Sequence, residues 1–302
     1  AVRKLREERN NATNSIDDII ALKPDCVLYM PHVCNVDEVC RLLESGANVV
    51  STRMEFQNPR AYNPEWGAKL EAACAKGGSS IHASGSSPGF VTEALPIVMA
   101  SIQRRLDHLR IDEFADCSSR NSPEMLFDMM GFGAAPGAAS EAQLKHKEMS
   151  FGPSMQLVAT ALGMPIDRFE VSGAQGIARN DVHIAAGLVP KGTVAATRSI
   201  LTGFHKDKAI MTMCTTWFVS EDVETSDGEQ WEFRSPSGWH VVMQGDCPLD
   251  VVITFPVAME NYAEMTPGLT ANRPVNAVPF VCEAPPGIVT TADLPQIVAR
   301  LG

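Results

Sequence analysis

Glu55 is the first residue whose type and setting suggest chemistry. It lies three residues past Thr52, the end of an apolar run, with Met54, Phe56, Pro59 and Tyr62 close by in sequence. Apolar surroundings desolvate a carboxyl group and raise its pKa towards the range useful for proton transfer near neutrality. The plain alternative is a solvated loop charge, since glutamate is seldom buried without a partner. Gly85-x-Ser87-x-Gly89 offers a different chemistry, because it matches the nucleophile elbow and falls between a strand and a helix. In that elbow the residue after the nucleophile gives its N–H to the oxyanion hole, and here that residue is Pro88, which has none. A serine hydrolase using Ser87 is therefore the weaker alternative. The same residues suit a Gly- and Ser-rich turn that lets another molecule approach the backbone closely.

Two further patterns carry less. Gly131-Phe-Gly133-Ala-Ala-Pro-Gly137 imitates a dinucleotide fingerprint, but it follows the helical stretch SPEMLFDMM instead of a strand. A small-residue loop fits it better, with a lid over substrate as the functional option. Among eight cysteines there is no CxxC, and Cys26, His32, Cys34 and Cys40 match no zinc spacing. No metal is expected, and buried thiols in a reducing cytosol account for the cysteines.

The elements that must hold these residues are well punctuated in the first third. Ser15 and Asp18 open a helix over SIDDIIAL, and DCVLYM (25–30) reads as a strand covered on both faces. Asn35 with Glu38 starts VDEVCRLLES as a capping box would, ANVVST (47–52) is the next strand, and Asn63-Pro64 opens a helix that ends at Gly77-Gly78. SSIHAS (79–84) is a third strand, turned by GSSPG into the helix FVTEALPIVMASIQ. Three strand–loop–helix units predict a Rossmann-type, doubly wound parallel sheet, whose ligands bind beyond the carboxyl ends of its strands. That edge carries Met30-Pro31-His32, Thr52 to Glu55, and Gly85 to Gly89. No G-x-G-x-x-G follows a strand and opens a helix, so the first phosphate-binding βαβ unit is expected to be missing from this sequence, with the motif within roughly 60 residues before Ala1.

Beyond residue 106 the pattern changes to strands. HLRIDEFAD alternates as a half-solvated strand, followed by DRFEVSGA, TVAATRSILTGF, KAIMTMCTTWFV, WHVVMQG and LDVVITF, with helices near 122–130 and 150–162. A second, α+β domain on a mostly antiparallel sheet is expected over 106–267. It follows a dinucleotide-binding domain over 1–105 and precedes C-terminal helices (GLTANRPVNAVPFVCEA, then DLPQIVARL) over 268–302 that return to the first domain. The 302 residues agree with two domains. A net charge of -11 speaks against nucleic acid or an anionic membrane as partner. No apolar run is long enough to span a bilayer, and the charged N-terminus lacks the apolar segment of a secretory signal, so a cytoplasmic location is expected.

Four segments in order, NVVSTRMEFQNPRAY, IHASGSSPGF, SPEMLFDMMGFG and TANRPVNAVPFVCEAPPGI, resemble the dihydrodipicolinate-reductase-like oxidoreductases that include 2,4-diaminopentanoate dehydrogenase and the native amine dehydrogenases. The resemblance runs over essentially the whole chain. It implies NAD or NADP as cofactor, a homodimer, and reductive amination of a small ketone or aldehyde with ammonia, or the reverse oxidative deamination. The family's catalytic glutamate falls on Glu55, although Phe56 and Asn58 replace the Leu and Tyr expected there. Pro31, Thr52, Gly85, Pro88 and Gly89 would shape the nicotinamide pocket, and Asn276 would reach the nicotinamide amide. Phe127, Met130 and Phe132 would line an apolar substrate pocket, unless they are plain core. The paired histidines and Lys-x-x-x-x-Ser-Gly-Thr segment of true dihydrodipicolinate reductases are missing at GluPheAlaAspCysSerSer (113–119), so lysine biosynthesis is not implied. The alternative from another class is a non-catalytic, ligand-sensing Rossmann-like dimer.

Overall fold

The computed structural model describes residues 13–137, 141–234 and 236–299. The readings of the first twelve residues and of the last three lie outside the described residues.

Polar caps set the helices of the first third. Ser15 accepts the Asp18 amide at 3.3 Å and starts α1 (Ile16–Ala21), which precedes β1 (Cys26–Tyr29). Asn35 Oδ1 accepts the Asp37 and Glu38 amides at 3.1 and 3.3 Å and starts α2 (Val36–Glu44). The capping box closes differently from the sequence pattern. The Asn35 amide donates to the Tyr29 hydroxyl at 3.0 Å, and Glu38 takes that hydroxyl at 3.4 Å instead of reaching the backbone. After β2 (Asn48–Ser51) and the short α3 (Pro59–Tyr62), Asn63 Oδ1 accepts the Glu65 and Trp66 amides at 3.0 and 3.2 Å to start α4 (Pro64–Gly77). Gly78, at a φ of +67°, closes α4 in the left-handed conformation that glycine adopts without cost, and β3 (Ser80–Ala83) follows. Asn63→Ala is expected to lower stability by about 1 kcal/mol, the usual worth of such a cap, measured by urea unfolding.

These strands form a parallel sheet in the order β1-β2-β3-β13, where β13 (Gly287–Ile288) comes from near the C-terminus and pairs Gly287 with Ser80. Leu42 and Leu43 of α2 and Leu70 of α4 bury fully against Val49 and Ile81 of the sheet. β1 departs from the sequence expectation. It is an edge strand of this sheet, and its Leu28 is 46% exposed.

After a non-helical turn at Ser87 to Gly89, helical backbone runs through Ala94 into α5 (Leu95–Met99) and then β4 (Leu106–Asp116). A turn of helix at Glu124–Met129 precedes α6 (Glu141–Ala161), longer than its apolar stripe suggested. The chain then builds β5 (Arg168–Ala178), the hairpin β6 (Val182–Ile184) and β7 (Gly187–Val189), β8 (Val194–His205), β9 (Lys208–Phe218), β10 (Val223–Thr225), β11 (Ser237–Gly245) and β12 (Leu249–Thr254). Seven of these strands make one sheet, ordered β10-β5-β8-β9-β4-β11-β12, antiparallel except where β4 runs parallel to β9.

The core lies between one face of this sheet (Leu109, Ile111, Met213, Val241) and Phe151, Met155 and Val158 of α6. β4 is not half-solvated as expected. Residues 111–114 are all buried because the opposite face is covered too, with Phe114 packed among Ala196, Phe218 and Trp231.

α7 (Met259–Glu283) is one 25-residue helix despite three internal prolines, and its Ala277 and Val281 pack on Val50 of β2. The expected final helix over DLPQIVARL does not form within 293–299. Pro295 disfavours helical backbone at Leu294, and Asp293 instead caps a turn by accepting the Thr290 amide at 2.9 Å. No helix of the described residues is long and apolar enough to cross a membrane.

Candidate active site

The carboxyl ends of the parallel strands are stitched together by short bonds. Ser51 Oγ donates to the Tyr29 carbonyl at 2.6 Å and accepts the Arg53 amide at 3.0 Å, while the Ser84 amide reaches the Ser51 carbonyl at 3.0 Å. Pro31 and Thr52 sit half-buried at this edge. The next loop, Gly85 to Gly89, contains a cis Ser87-Pro88 bond, and Gly89 adopts a φ of +130°. A Cβ on Gly89 would fall 2.8 Å from Ser84 Oγ, so only glycine fits this packing. Ser87 Oγ is buried and has no hydrogen-bond partner among the described residues, so none of them acts as the base of a nucleophile elbow.

Glu55 is buried, 5% exposed, as its sequence setting predicted, but the surroundings differ from an apolar cage. Arg53 Nε donates to Glu55 Oε2 at 3.0 Å and Arg53 Nη2 contacts Oε1, a bidentate grip that stabilises the carboxylate charge. Arg53 Nη1 also donates to the His32 carbonyl at 2.9 Å, which ties Glu55 to the loop after β1. The turn carrying Glu55 is braced against α6, where Asn58 Nδ2 donates to the Pro153 carbonyl at 3.1 Å.

A cleft of about 1320 Å³ opens from this edge onto the larger sheet, with Ser86 and Ser87 in its wall. At the sheet end of the cleft stands Glu113, which the sequence reading missed. Trp217 Nε1 donates to its Oε1 at 2.9 Å, and Trp239 Nε1, from the residue directly across on β11, to its Oε2 at 3.2 Å. Lys147 of α6 faces it, its ammonium 3.7 Å above the Trp217 ring. No carboxylate lies within ion-pair distance of Lys147 among the described residues, so burial pushes its pKa down to about 8, opposed by the charge of Glu113. Both residues had a sequence signal. Glu113 shares its strand face with Leu109 and Ile111, and Lys147 heads the stripe continued by Phe151 and Met155.

The remaining sequence candidates separate. Met130 lines the cleft. Phe132, 1% exposed, belongs to a core cluster with Leu126 and Val194, and Phe127 packs on the same cluster. Asn276 is half-buried on α7, which also sends Thr270 to the cleft wall and lets Arg273 Nε donate to Ser84 Oγ at 2.9 Å.

Lys147 titration has a measurable sign. Its pKa is lower folded than unfolded, so between about 8 and 10.5 the unfolded chain binds more protons and stability rises with pH. Lys147→Met is expected to remove that rise, read as the difference between the two proteins in urea unfolding across this window.

A short parallel sheet with a carboxyl-end loop in the wall of a cleft, beside a larger mostly antiparallel sheet, agrees with the expected Rossmann-type architecture, in which ligands bind at that edge. The fold is shared with the amine dehydrogenase of Mycobacterium smegmatis, which superposes with a TM-score of 0.70 at 19% identity and covers 95% of this chain and 81% of its own. The chain belongs to the family of the 2,4-diaminopentanoate dehydrogenase C-terminal domain, which matches residues 90–302. In sequence it is also similar to an amine dehydrogenase of Streptomyces virginiae, 26% identical over 308 residues, 96% of this chain and 83% of that protein. The resemblance carried by the four sequence motifs therefore holds.

Proposed function

We propose that this chain carries out NAD- or NADP-dependent reductive amination of a small ketone or aldehyde with ammonia, or the reverse oxidative deamination. The observation that carries the reading is the continuity of the Gly85 to Gly89 turn with a cleft holding a fixed carboxylate and an unpaired ammonium. The turn suits a nicotinamide: it lies at the carboxyl edge of the parallel sheet with Ser86 and Ser87 in the cleft wall, and the Ser87 hydroxyl is a hydrogen-bonding group without a partner among the described residues. When bound, the nicotinamide would give or take the hydride. Pro31 and Thr52 would bound its pocket from the neighbouring loops, with Asn276 on the C-terminal helix.

The protein's own part is proton handling. Ammonium must lose a proton before it attacks a carbonyl, and the carbinolamine must lose water. Glu55 is the group we assign to accept and return these protons, with Arg53 holding its carboxylate in place. Met130 would contribute to the apolar wall around the substrate. Phe132 and Phe127 would support that wall from the core behind it. A second reading gives the proton transfer to Glu113, because Glu113 stands in the cleft wall and Glu55 is closed over by Arg53.

The test is a fluorescence titration with NADH and with NADPH, followed by cofactor oxidation assayed against small ketones and aldehydes with and without ammonium. Saturable binding and an ammonium-dependent rate are expected. No binding of either cofactor would point to the non-catalytic alternative. Light scattering on the same sample tests the homodimer implied by the family resemblance.

A further inference from the structure

Glu93 is wholly buried and plays no part in the proton transfers above, yet four elements converge on it. Ser154 Oγ of α6 donates to its Oε1 at 2.7 Å, and Thr291 Oγ1 of the C-terminal segment contacts its Oε2 at 2.5 Å. With the Gln57 amide nitrogen turned towards them, Gln57 donates to Oε1 at 3.2 Å and to the Ala83 carbonyl at 3.0 Å. Next to it, Thr92 Oγ1 lies 3.0 Å from Ser154 Oγ and accepts the Gly89 amide at 2.8 Å.

The direction of these bonds follows from one fixed donor. The Gly89 N–H can only donate, and Ser154 gives its own proton to Glu93. Thr92 must therefore give its proton to Ser154. The result is a one-way chain: Gly89 N–H to Thr92 Oγ1, Thr92 to Ser154 Oγ, Ser154 to Glu93 Oε1. Such chains strengthen cooperatively, and an ionised acceptor at the end strengthens them further. The charged group facing Glu93 is Arg273 of α7, which holds Ser84 at the other end of the same turn. Among the described residues, α6, the C-terminal segment and the Glu55 loop offer it the hydroxyls and the amide already named.

We infer that Glu93 is a positioning residue. It anchors the Gly85 to Gly89 turn through Thr92 and Ser154, and its ionisation tightens that turn. The inference rests on the cofactor reading only in taking this turn as the nicotinamide's seat. Burial raises the Glu93 carboxyl to about 7, against the opposing pull of Thr291, Ser154 and Arg273, so the anchor changes charge near neutral pH. Its folded pKa lies above the unfolded value, so folding binds a proton between about 4.5 and 7, and stability is lost as pH rises through that window. The ionised state thus costs global stability while it stiffens the turn.

Three proteins test this: wild type, Glu93→Gln, which keeps the shape and removes the titration, and Thr92→Val, which breaks the chain one link from Gly89 without touching Glu93. Amide hydrogen exchange over residues 85–92, corrected for intrinsic rates, is read at pH 6 and pH 8 without cofactor. Wild type is expected to gain protection at the Gly89 amide at the higher pH. Glu93→Gln should show the same protection at both pH values, and Thr92→Val should lose about 10-fold at both, the worth of one hydrogen bond. The dissociation constant for NADH should follow the same order. Equal pH dependence in wild type and Glu93→Gln, or unchanged exchange in Thr92→Val, overturns the inference. If exchange behaves as expected and NADH does not bind, the anchor stands and the cofactor reading falls.

Discussion

Glu55→Gln is expected to lower kcat for ammonium-dependent oxidation of NADH or NADPH by a factor of about 10² to 10⁴, the usual worth of a general acid–base group. Glutamine keeps the shape of the side chain and an oxygen for Arg53, but it cannot accept and return a proton. Cofactor affinity should change little, because the residue is assigned to proton transfer and not to holding the dinucleotide. The comparison that gives the number its meaning is Glu113→Gln, whose carboxylate is also fixed by two donors and stands in the cleft wall. If Glu113→Gln abolishes turnover while Glu55→Gln leaves most of it, the second reading replaces the first. Both variants must be checked for folding. Removing one partner of a fully buried ion pair costs on the order of 3 kcal/mol, and the loss here is expected to be smaller because Glu55 is buried but Arg53 is partly exposed.

Gly89→Ala should produce the second large effect. At a φ of +130° an L side chain is strained by about 1–3 kcal/mol wherever it points, and here the new Cβ would press on Ser84 Oγ at 2.8 Å and on the Ser84 carbonyl carbon at 3.3 Å. Ser84 cannot simply turn aside, because its hydroxyl is engaged by Arg273. The turn must shift, and with it the seat proposed for the nicotinamide. A displacement of an ångström between reacting groups costs about 100-fold in rate, so kcat/KM is expected to fall by that order, measured by steady-state kinetics in the cofactor. A rise confined to the KM for the carbonyl compound would place the turn away from the cofactor.

Much of this was legible in the residues themselves. Polar caps at Ser15, Asn35 and Asn63 marked helix starts, and the runs over 25–30, 47–52 and 79–84 marked the parallel strands that form at Cys26–Tyr29, Asn48–Ser51 and Ser80–Ala83, because both signals are local. The two-residue strand β13 was not legible, since its pairing with β3 joins positions some two hundred residues apart and leaves no local pattern. The expected last helix failed for a local reason that was present in the sequence, the proline after Leu294. The site divides the same way. Glu55 and the Gly89 turn stood out from their neighbours, whereas nothing in the local pattern marked Arg53 as the partner of Glu55. Glu113 was hidden by the assumption that β4 has one wet face; the sheet covers both, and an acid on the core side of a strand was the signal to weigh.

The most direct measurement of C–N bond formation is to run the reaction with a reduced cofactor, a small ketone and heavy-nitrogen ammonium, and to identify the product by mass spectrometry. An amine carrying the heavy nitrogen, formed in step with cofactor oxidation, is the expected product. The corresponding alcohol, or cofactor oxidation at the same rate without ammonium, would contradict it.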